Sequence, residues 1–264
     1  MKITILSLFP EMFDGFLTHS IIKRAIANNL VEIHLVNIRD FTQDKYHRVD
    51  TPPIGGGAGL VMKAQPIVDA LQAQASKAAH KVLLSPRGNA FNQIKARQFA
   101  QLEELVLICG HYEGIDERVN HYVDELISGG DFILTGGELI AAVISDAVIR
   151  LLDGAITAES TVEESFDDGL LEYPQYTEPF DFQGHKVPDI LYSGNHSAIA
   201  KWRQLQRLIL TRTYRPDLFK NYVLSKKDQH LIAEHDENII PKWLIEAVNK
   251  GHKFMKEKKN DGIS

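Results

Sequence analysis

From residue 1 to residue 152, short apolar runs alternate with stretches of helical spacing. That alternation confines the chain to an α/β fold with a parallel, doubly wound sheet. Lys2–Ser7 reads as a strand halted before Pro10. Glu11–Asn28 reads as a helix, with Phe13, Phe16, Leu17, Ile21, Ile22 and Ala25 near one face. Val31–Val36 gives a second strand, and Lys81–Leu84 a third that ends in Ser85-Pro86-Arg87-Gly88. Pro66 opens a helix that runs to about Ser76, a favoured place for proline. Asn92–Leu102 and the strongly apolar Glu138–Leu152 complete the helical set, with Arg150 near the end of the latter. Residues 39–65 lack periodicity and hold Pro52, Pro53, Gly55, Gly56, Gly57 and Gly59. A loop that long inside a compact domain is functional or mobile.

The densest signal is Leu105–Leu139. An apolar strand, Leu105–Cys109, stops at Gly110, and three acids follow, Glu113, Asp116 and Glu117. After Ser128-Gly129-Gly130 a second apolar run, Asp131–Leu134, reads as a strand that stops at Gly136-Gly137. One such glycine pair is an ordinary loop feature. Two of them just past strand ends point to a pocket lined by backbone, since ligands of open α/β sheets sit at the carboxyl ends of strands and glycine lets main chain approach a ligand closely.

Composition narrows the class. With 264 residues the chain can form one large domain or two smaller ones. A hydrophobic content of 44% and a charged content of 24% suit a soluble globular protein. The formal charge of −6 does not announce a nucleic-acid binder, but its distribution is uneven. Thr157–Glu172 holds six acids and no base, which reads as an exposed, flexible linker. Lys201–Lys227 holds eight Lys or Arg and one acid, Asp217, on a helix whose apolar face would be Ile199, Trp202, Leu205 and Ile209. The expected organisation is an α/β domain at 1–156, an acidic linker at 157–172 and a basic helical domain at 173–264. Cys109, the lone cysteine, excludes an internal disulfide framework and fits a reducing cytosol. No run is long enough for a membrane span, and MKITILSLFP is too short for a signal peptide. No Walker loop, GxGxxG, HExxH or GxSxG is present, and the eleven histidines show no ligand spacing. The residues alone describe a small-molecule-dependent enzyme acting on an anionic polymer.

The motifs LSLFPEMFDGF, RDFTQDKYHRVDTPPIGGGAGLVM, LSPRG, CGHYEGIDERV, GGDFILTGGEL, SF-x-x-GLLEYPQYT and LYSGNHSAIAKWR, in that order up to about residue 225, resemble the bacterial tRNA (guanine-N1)-methyltransferase family. The resemblance implies methylation of N1 of guanosine 37, next to the anticodon, with S-adenosylmethionine as donor. It also implies a trefoil knot in the first domain and a cytoplasmic homodimer with the active site at the subunit interface. The family's cofactor turns match Leu84, Ser85 and Pro86, then Gly110 and Tyr112, then Ser128, Gly129, Gly130, Phe132, Leu134, Gly136 and Gly137.

Guanine N1 carries a proton at neutral pH, so its methylation calls for a base at N1 and a donor at O6. Arg150 matches the family's catalytic arginine, suited to a planar contact; without the resemblance it reads as a cation on a helix C-terminus. The family's base is an aspartate just before Ser-Phe, where this chain has Glu164, one methylene longer. Asp168, four residues on, is the alternative base. Glu113 matches an acid near the methyl group that can also position Mg²⁺; by itself it reads as a solvated surface acid. For RNA the resemblance and the charge pattern point to Lys201, Arg203, Arg207, Arg212 and Arg215, with Ser193, Asn195 and His196 nearby, although a basic run is ordinarily a solvated face. Asp50 and the Gly55, Gly56, Gly57 and Gly59 loop would flank the flipped guanosine. The chain departs from the family at His111, where arginine is common, at Glu178 and at Ile140. A related knotted enzyme acting on a ribose 2′-hydroxyl or another base, and a non-catalytic RNA-binding protein, are the alternatives.

Overall fold

The computed structural model describes residues 1–156 and 164–261, the last ten of these as backbone only. The chain divides into two compact units, Met1–Thr161 and Val162–Ser264.

In the first unit the strands are β1 (Lys2–Ser7), β2 (Glu32–Asn37), β3 (Asp50–Thr51), β4 (Val61–Met62), β5 (His80–Ala90), β6 (Glu104–Ile108) and β7 (Glu125–Ser128). The helices are α1 (Asp14–Leu17), α2 (Ser20–Ala27), α3 (Ala64–Gln74), α4 (Gln93–Ala100) and α5 (Glu138–Ile149). Five strands form one parallel sheet in the order β2-β1-β6-β5-β7. The middle strands read as unbroken apolar runs because both faces are covered. Leu105 and Leu107 of β6 join Ile3, Ile5 and Val82 in a core closed by Ala141, Ile144 and Val148 of α5. Val106 and Ile108 join Leu6 and Leu83 in the opposite core, closed by Ile67, Ala70 and Leu71 of α3.

Three expectations are corrected. The helix expected over Glu11–Asn28 is broken: a 3₁₀ turn at Pro10–Phe13 and short α1 precede α2, and Ser20 sits at φ 54. Thr18 contributes to the break by turning its hydroxyl back onto the Asp14 carbonyl at 2.8 Å. The third strand does not end at Leu84. Leu84 and Asn89 both pair with Ile127, so Ser85–Gly88 bulge out of β5 between them. The run Asp131–Leu134 is no strand. The strand is Glu125–Ser128, just upstream, and Phe132 and Ile133 are 52% and 82% exposed.

The second unit holds a small hairpin, β8 (Asp181–Phe182) and β9 (His185–Lys186), and the helices α6 (His196–Tyr214), α7 (Pro216–Asn221), α8 (Lys226–Asp236) and α9 (Lys242–Asp261). Gln183 and Gly184 both have positive φ, the geometry a two-residue hairpin turn demands. Ile190, Ala198, Trp202 and Ala247 form its apolar centre. Residues 157–163 of the expected acidic linker lie outside the described residues. Over 164–172 Phe166, Asp167, Asp168 and Glu172 are exposed, and the expectation of an exposed linker is corrected at Leu170 and Leu171. Leu170 is fully buried and the Leu171 N–H donates to Thr211 Oγ1 at 2.9 Å, so the segment packs on α6. Among the described residues no helix is long and apolar enough to cross a membrane.

Candidate active site

At the carboxyl ends of β5, β6 and β7 the first unit opens into a cleft of about 590 Å³. Each wall is a turn that follows one of these strands or is the bulge within β5. Leu84 ends the paired part of β5 and Ser85 and Pro86 begin its bulge, Gly110 and Tyr112 come from the turn after β6, Ser128 ends β7, and Gly129, Gly130, Phe132, Leu134, Gly136 and Gly137 come from the segment between β7 and α5. All twelve residues expected at the cofactor site therefore line one cleft. The Ser128 hydroxyl shapes the last turn by accepting from the Gly130 N–H and donating to the Gly130 carbonyl, each at 3.1 Å. The segment then crosses to the end of β6, where the Gly137 N–H donates to the Gly110 carbonyl at 2.9 Å and His111 bridges Gly136. A Cβ on Gly137 would lie 2.9 Å from Cys109 Cα, so only glycine permits that crossing. Burial pushes the Cys109 thiol well above its usual range, and the nearby Glu138 carboxylate adds to the effect. Cys109 is a core residue with no nucleophilic character.

Sequence reasoning passed over further lining residues: Arg87, Ile115, Ile127 and Thr135. Arg87 pairs with Glu117 at 2.8 Å on the rim. Its place in Ser-Pro-Arg-Gly, directly after a strand, was the available signal.

Glu113 also lines the cleft, and its carboxylate reaches the glycine loop. Oε2 accepts from the Leu60 N–H at 2.8 Å, and a Cβ on Gly59 would overlap that carboxylate. Gly55, Gly56, Gly57 and Gly59 all have positive φ, so the loop is built for glycine. Asp50 pairs with Met62 at the base of the same loop, across β3 and β4. Glu113 thus joins the cleft to the loop that would flank the substrate base. Arg150 caps the C-terminus of α5, half-buried, its N–H on the Asp146 carbonyl at 3.1 Å. Among the described residues no three His, Cys, Asp or Glu side chains are grouped to hold a metal ion.

In the second unit the expected RNA-binding cations are largely engaged by the protein itself. Arg207, expected among the cations that meet RNA, is only 7% exposed, and this corrects its expected place. Its guanidinium grips both oxygens of Asp168, with Nη1 to Oδ2 at 3.0 Å, and its Nε donates to the Leu171 carbonyl at 3.3 Å. The buried face of α6 is Ala198, Trp202, Arg207, Leu208 and Thr211, so Leu205 and Ile209 of the expected apolar face are only partly covered. Burial alone would raise the Asp168 carboxyl, but the Arg207 bonds and charge outweigh it and hold the group below its usual range. Arg212 pairs with Asp236 through two bonds of 2.9 and 2.8 Å, and Arg215 with Asp217 at 2.9 and 2.6 Å. Arg203 stacks 4.4 Å over Tyr173, and the Lys201 ammonium lies 5.8 Å over Trp243. Nothing local in the sequence announced Tyr173, Trp243 or Asp236 as partners. Ser193 and Asn195 are turn-formers: Ser193 Oγ accepts from the Asn195 N–H, and Asn195 Oδ1 caps α6 by accepting from Ala198 N–H, both at 3.2 Å, with His196 as the first helical residue. Glu164 is half-buried.

A parallel α/β sheet with a cleft walled by main chain, apolar side chains and a few charged ones at three strand ends has the form of a small-molecule site. Residues 1–221 match the family described as tRNA (Guanine-1)-methyltransferase TrmD, and the chain belongs to that family. It is 53% identical over 239 residues to a tRNA (guanine-N(1)-)-methyltransferase of Clostridium botulinum (strain Eklund 17B / Type B), a match covering 90% of this chain and 100% of that protein. A protein of the same name from Clostridium perfringens (strain 13 / Type A) is 53% identical over 234 residues, covering 88% of this chain and 99% of its own length. Helices α8 and α9 lie beyond the residues matched to the family.

Proposed function

We propose that the protein transfers a methyl group from S-adenosylmethionine to N1 of guanosine 37 in tRNA. In this reading it works as a cytosolic homodimer whose first domain carries a trefoil knot. The observation that carries the reading is that all twelve residues the resemblance assigns to the cofactor line one cleft of about 590 Å³. That volume lies inside the roughly 300–1,000 Å³ of small-molecule sites. The cleft suits the cofactor chemically. Leu84, Phe132, Leu134 and Ile140 give apolar walls for an adenine, and the glycine turns give main-chain donors and acceptors. When bound there, S-adenosylmethionine supplies a methyl group made electrophilic by its sulfonium. The crossing of residues 129–137 over Gly110 and His111 is the natural place for the knot.

The remaining chemistry belongs to the chain. Glu164 accepts the N1 proton and frees the N1 electron pair, a role typically worth ~10²–10⁴-fold in rate. Arg150 donates to O6, where the negative charge collects. Asp168 is the weaker choice for the base, because Arg207 occupies both its oxygens and holds its carboxyl low. Glu113 keeps the glycine loop against the cleft and is the acid beside which Mg²⁺ would sit. Lys201, Arg203, Arg212 and Arg215, with Ser193, Asn195 and His196, face the tRNA.

The test is methyl transfer from labelled S-adenosylmethionine to unmodified tRNA bearing guanosine or adenosine at position 37. Label on N1 of the guanosine, and none on the adenosine transcript, is expected. Label on a ribose 2′-hydroxyl or another base would move the assignment to a related knotted enzyme. A protein that fails to bind the cofactor in calorimetry would sink the reading.

A further inference from the structure

At the cleft wall, buried Ser7 and Glu138 meet His111, which is partly buried and lines the cleft, in a polar chain that none of the roles above uses. Glu138 is the first residue of α5 and is 2% exposed. One of its oxygens accepts from Ser7 Oγ at 2.7 Å, and that hydroxyl in turn accepts from the Phe9 N–H at 2.8 Å. The other oxygen lies 3.4 Å from His111 Nε2. A carboxylate this deep is costly unless its oxygens are satisfied, and here one partner is fixed at the end of β1 and the other in the turn after β6. Three segments of the chain thus meet on one side chain. Two of them, at Gly110–Tyr112 and Gly136–Gly137, are walls of the cleft.

The surroundings leave this chain little freedom. A Cβ on Gly136 would overlap both the Glu138 carboxylate and the His111 ring. The His111 ring is flanked by Phe9, with centroids 4.9 Å apart, and by Tyr112 at 5.6 Å. Packing of α5 on the sheet is already secured by Ala141, Ile144 and Val148 in the apolar core. A buried polar network in such a place adds less to net stability than to the choice of one geometry.

We propose that Glu138 and His111 are positioning residues. They latch the segment after β7 to the turn after β6 and so set the width of the cofactor cleft. The inference rests on the reading that this cleft takes S-adenosylmethionine. Neither residue need touch the reacting atoms, and the latch acts through the spacing of the two turns.

The test uses the full chain with His111→Ala, Glu138→Gln, the double variant and His111→Arg. Glu138→Gln keeps the shape and the bond to Ser7 while removing the charge. Each single change is expected to raise the calorimetric Kd and the KM for S-adenosylmethionine about 10-fold while kcat stays within about 3-fold, the split expected of lost ground-state positioning. The double variant should be no weaker than the weaker single one, because both changes break one contact. His111→Arg, which supplies an N–H donor that can reach the carboxylate, should recover affinity to within about 3-fold of the parent. Unchanged Kd in variants with the parent's melting temperature would overturn the latch. So would additive losses in the double variant. Failure of the unaltered protein to bind the cofactor would instead remove the cofactor reading, and the latch with it.

Discussion

Asp168→Asn is expected to weaken the second unit and to loosen the segment that carries Glu164, without removing the proposed base. The substitution keeps the shape and removes the charge. It leaves the Arg207 side chain, 9% exposed, with the Leu171 carbonyl, Gln204 Oε1 at 3.3 Å and an amide oxygen in place of a bidentate carboxylate. Breaking a fully buried ion pair by removing one partner costs about 3–5 kcal/mol. The Asp168 side chain is 49% exposed, so solvent already screens part of the pair. Asparagine also keeps one acceptor. These two discounts bring the expected loss to about 2 kcal/mol at neutral pH. The pH dependence has a fixed sign. The folded carboxyl titrates below its unfolded value of about 3.9, so the unfolded chain binds more protons in that window and stability rises with pH. The stabilisation is full above the unfolded value and is lost as pH falls through the folded one. Urea unfolding of parent and variant at pH 7 and at acid pH reads this directly. The expected gap is about 2 kcal/mol at pH 7, closing toward pH 3. A gap below about 0.5 kcal/mol at pH 7, the size of an ordinary surface change, or one that persists unchanged in acid, would refute the account of the Arg207–Asp168 pair.

Glu164→Gln is expected to do the reverse: single-turnover methyl transfer falls at least ~10²-fold, with cofactor affinity and tRNA affinity retained. Full activity there with loss in Asp168→Asn would transfer the role of base to Asp168. The log–log salt slope of tRNA binding should drop by about one unit in Arg212→Ala, whose partner Asp236 is half-exposed and readily exchanged for phosphate, and should not change in Arg207→Ala. Equal drops in both variants would mean that Arg207 leaves Asp168 to reach RNA. Light scattering at micromolar concentration should give twice the chain mass of 29.7 kDa, and a monomer would count against a site shared between subunits.

The cleft was legible because its physical causes are local. A strand buried on both faces reads as an unbroken apolar run, as in Leu105–Cys109, and a turn that main chain must approach closely reads as glycine, as at Gly110 and Gly137. The same logic explains the misreading of Asp131–Leu134. Apolar residues that line a cleft carry the composition of a strand without its backbone, and the exposure of Phe132, Ile133 and Leu134 distinguishes them. Arg207 was misplaced for another reason. Whether a cation on α6 faces solvent or a carboxylate depends on partners far along the chain: Asp168 lies 39 residues from Arg207, and Asp236 lies 24 residues from Arg212. Helical spacing places a side chain on a face but says nothing of what packs on that face. The acidic stretch and the basic helix, read separately as a linker and an RNA surface, are in part the two halves of one ion pair. Of the five cations assigned to RNA, Arg207 is thereby spent on holding residues 168–171 to α6, just beyond Glu164. A flexible linker would leave the proposed base to be ordered wholly by tRNA. A segment anchored at Asp168 carries part of that ordering in the fold, leaving less entropy to be lost when the substrate base arrives.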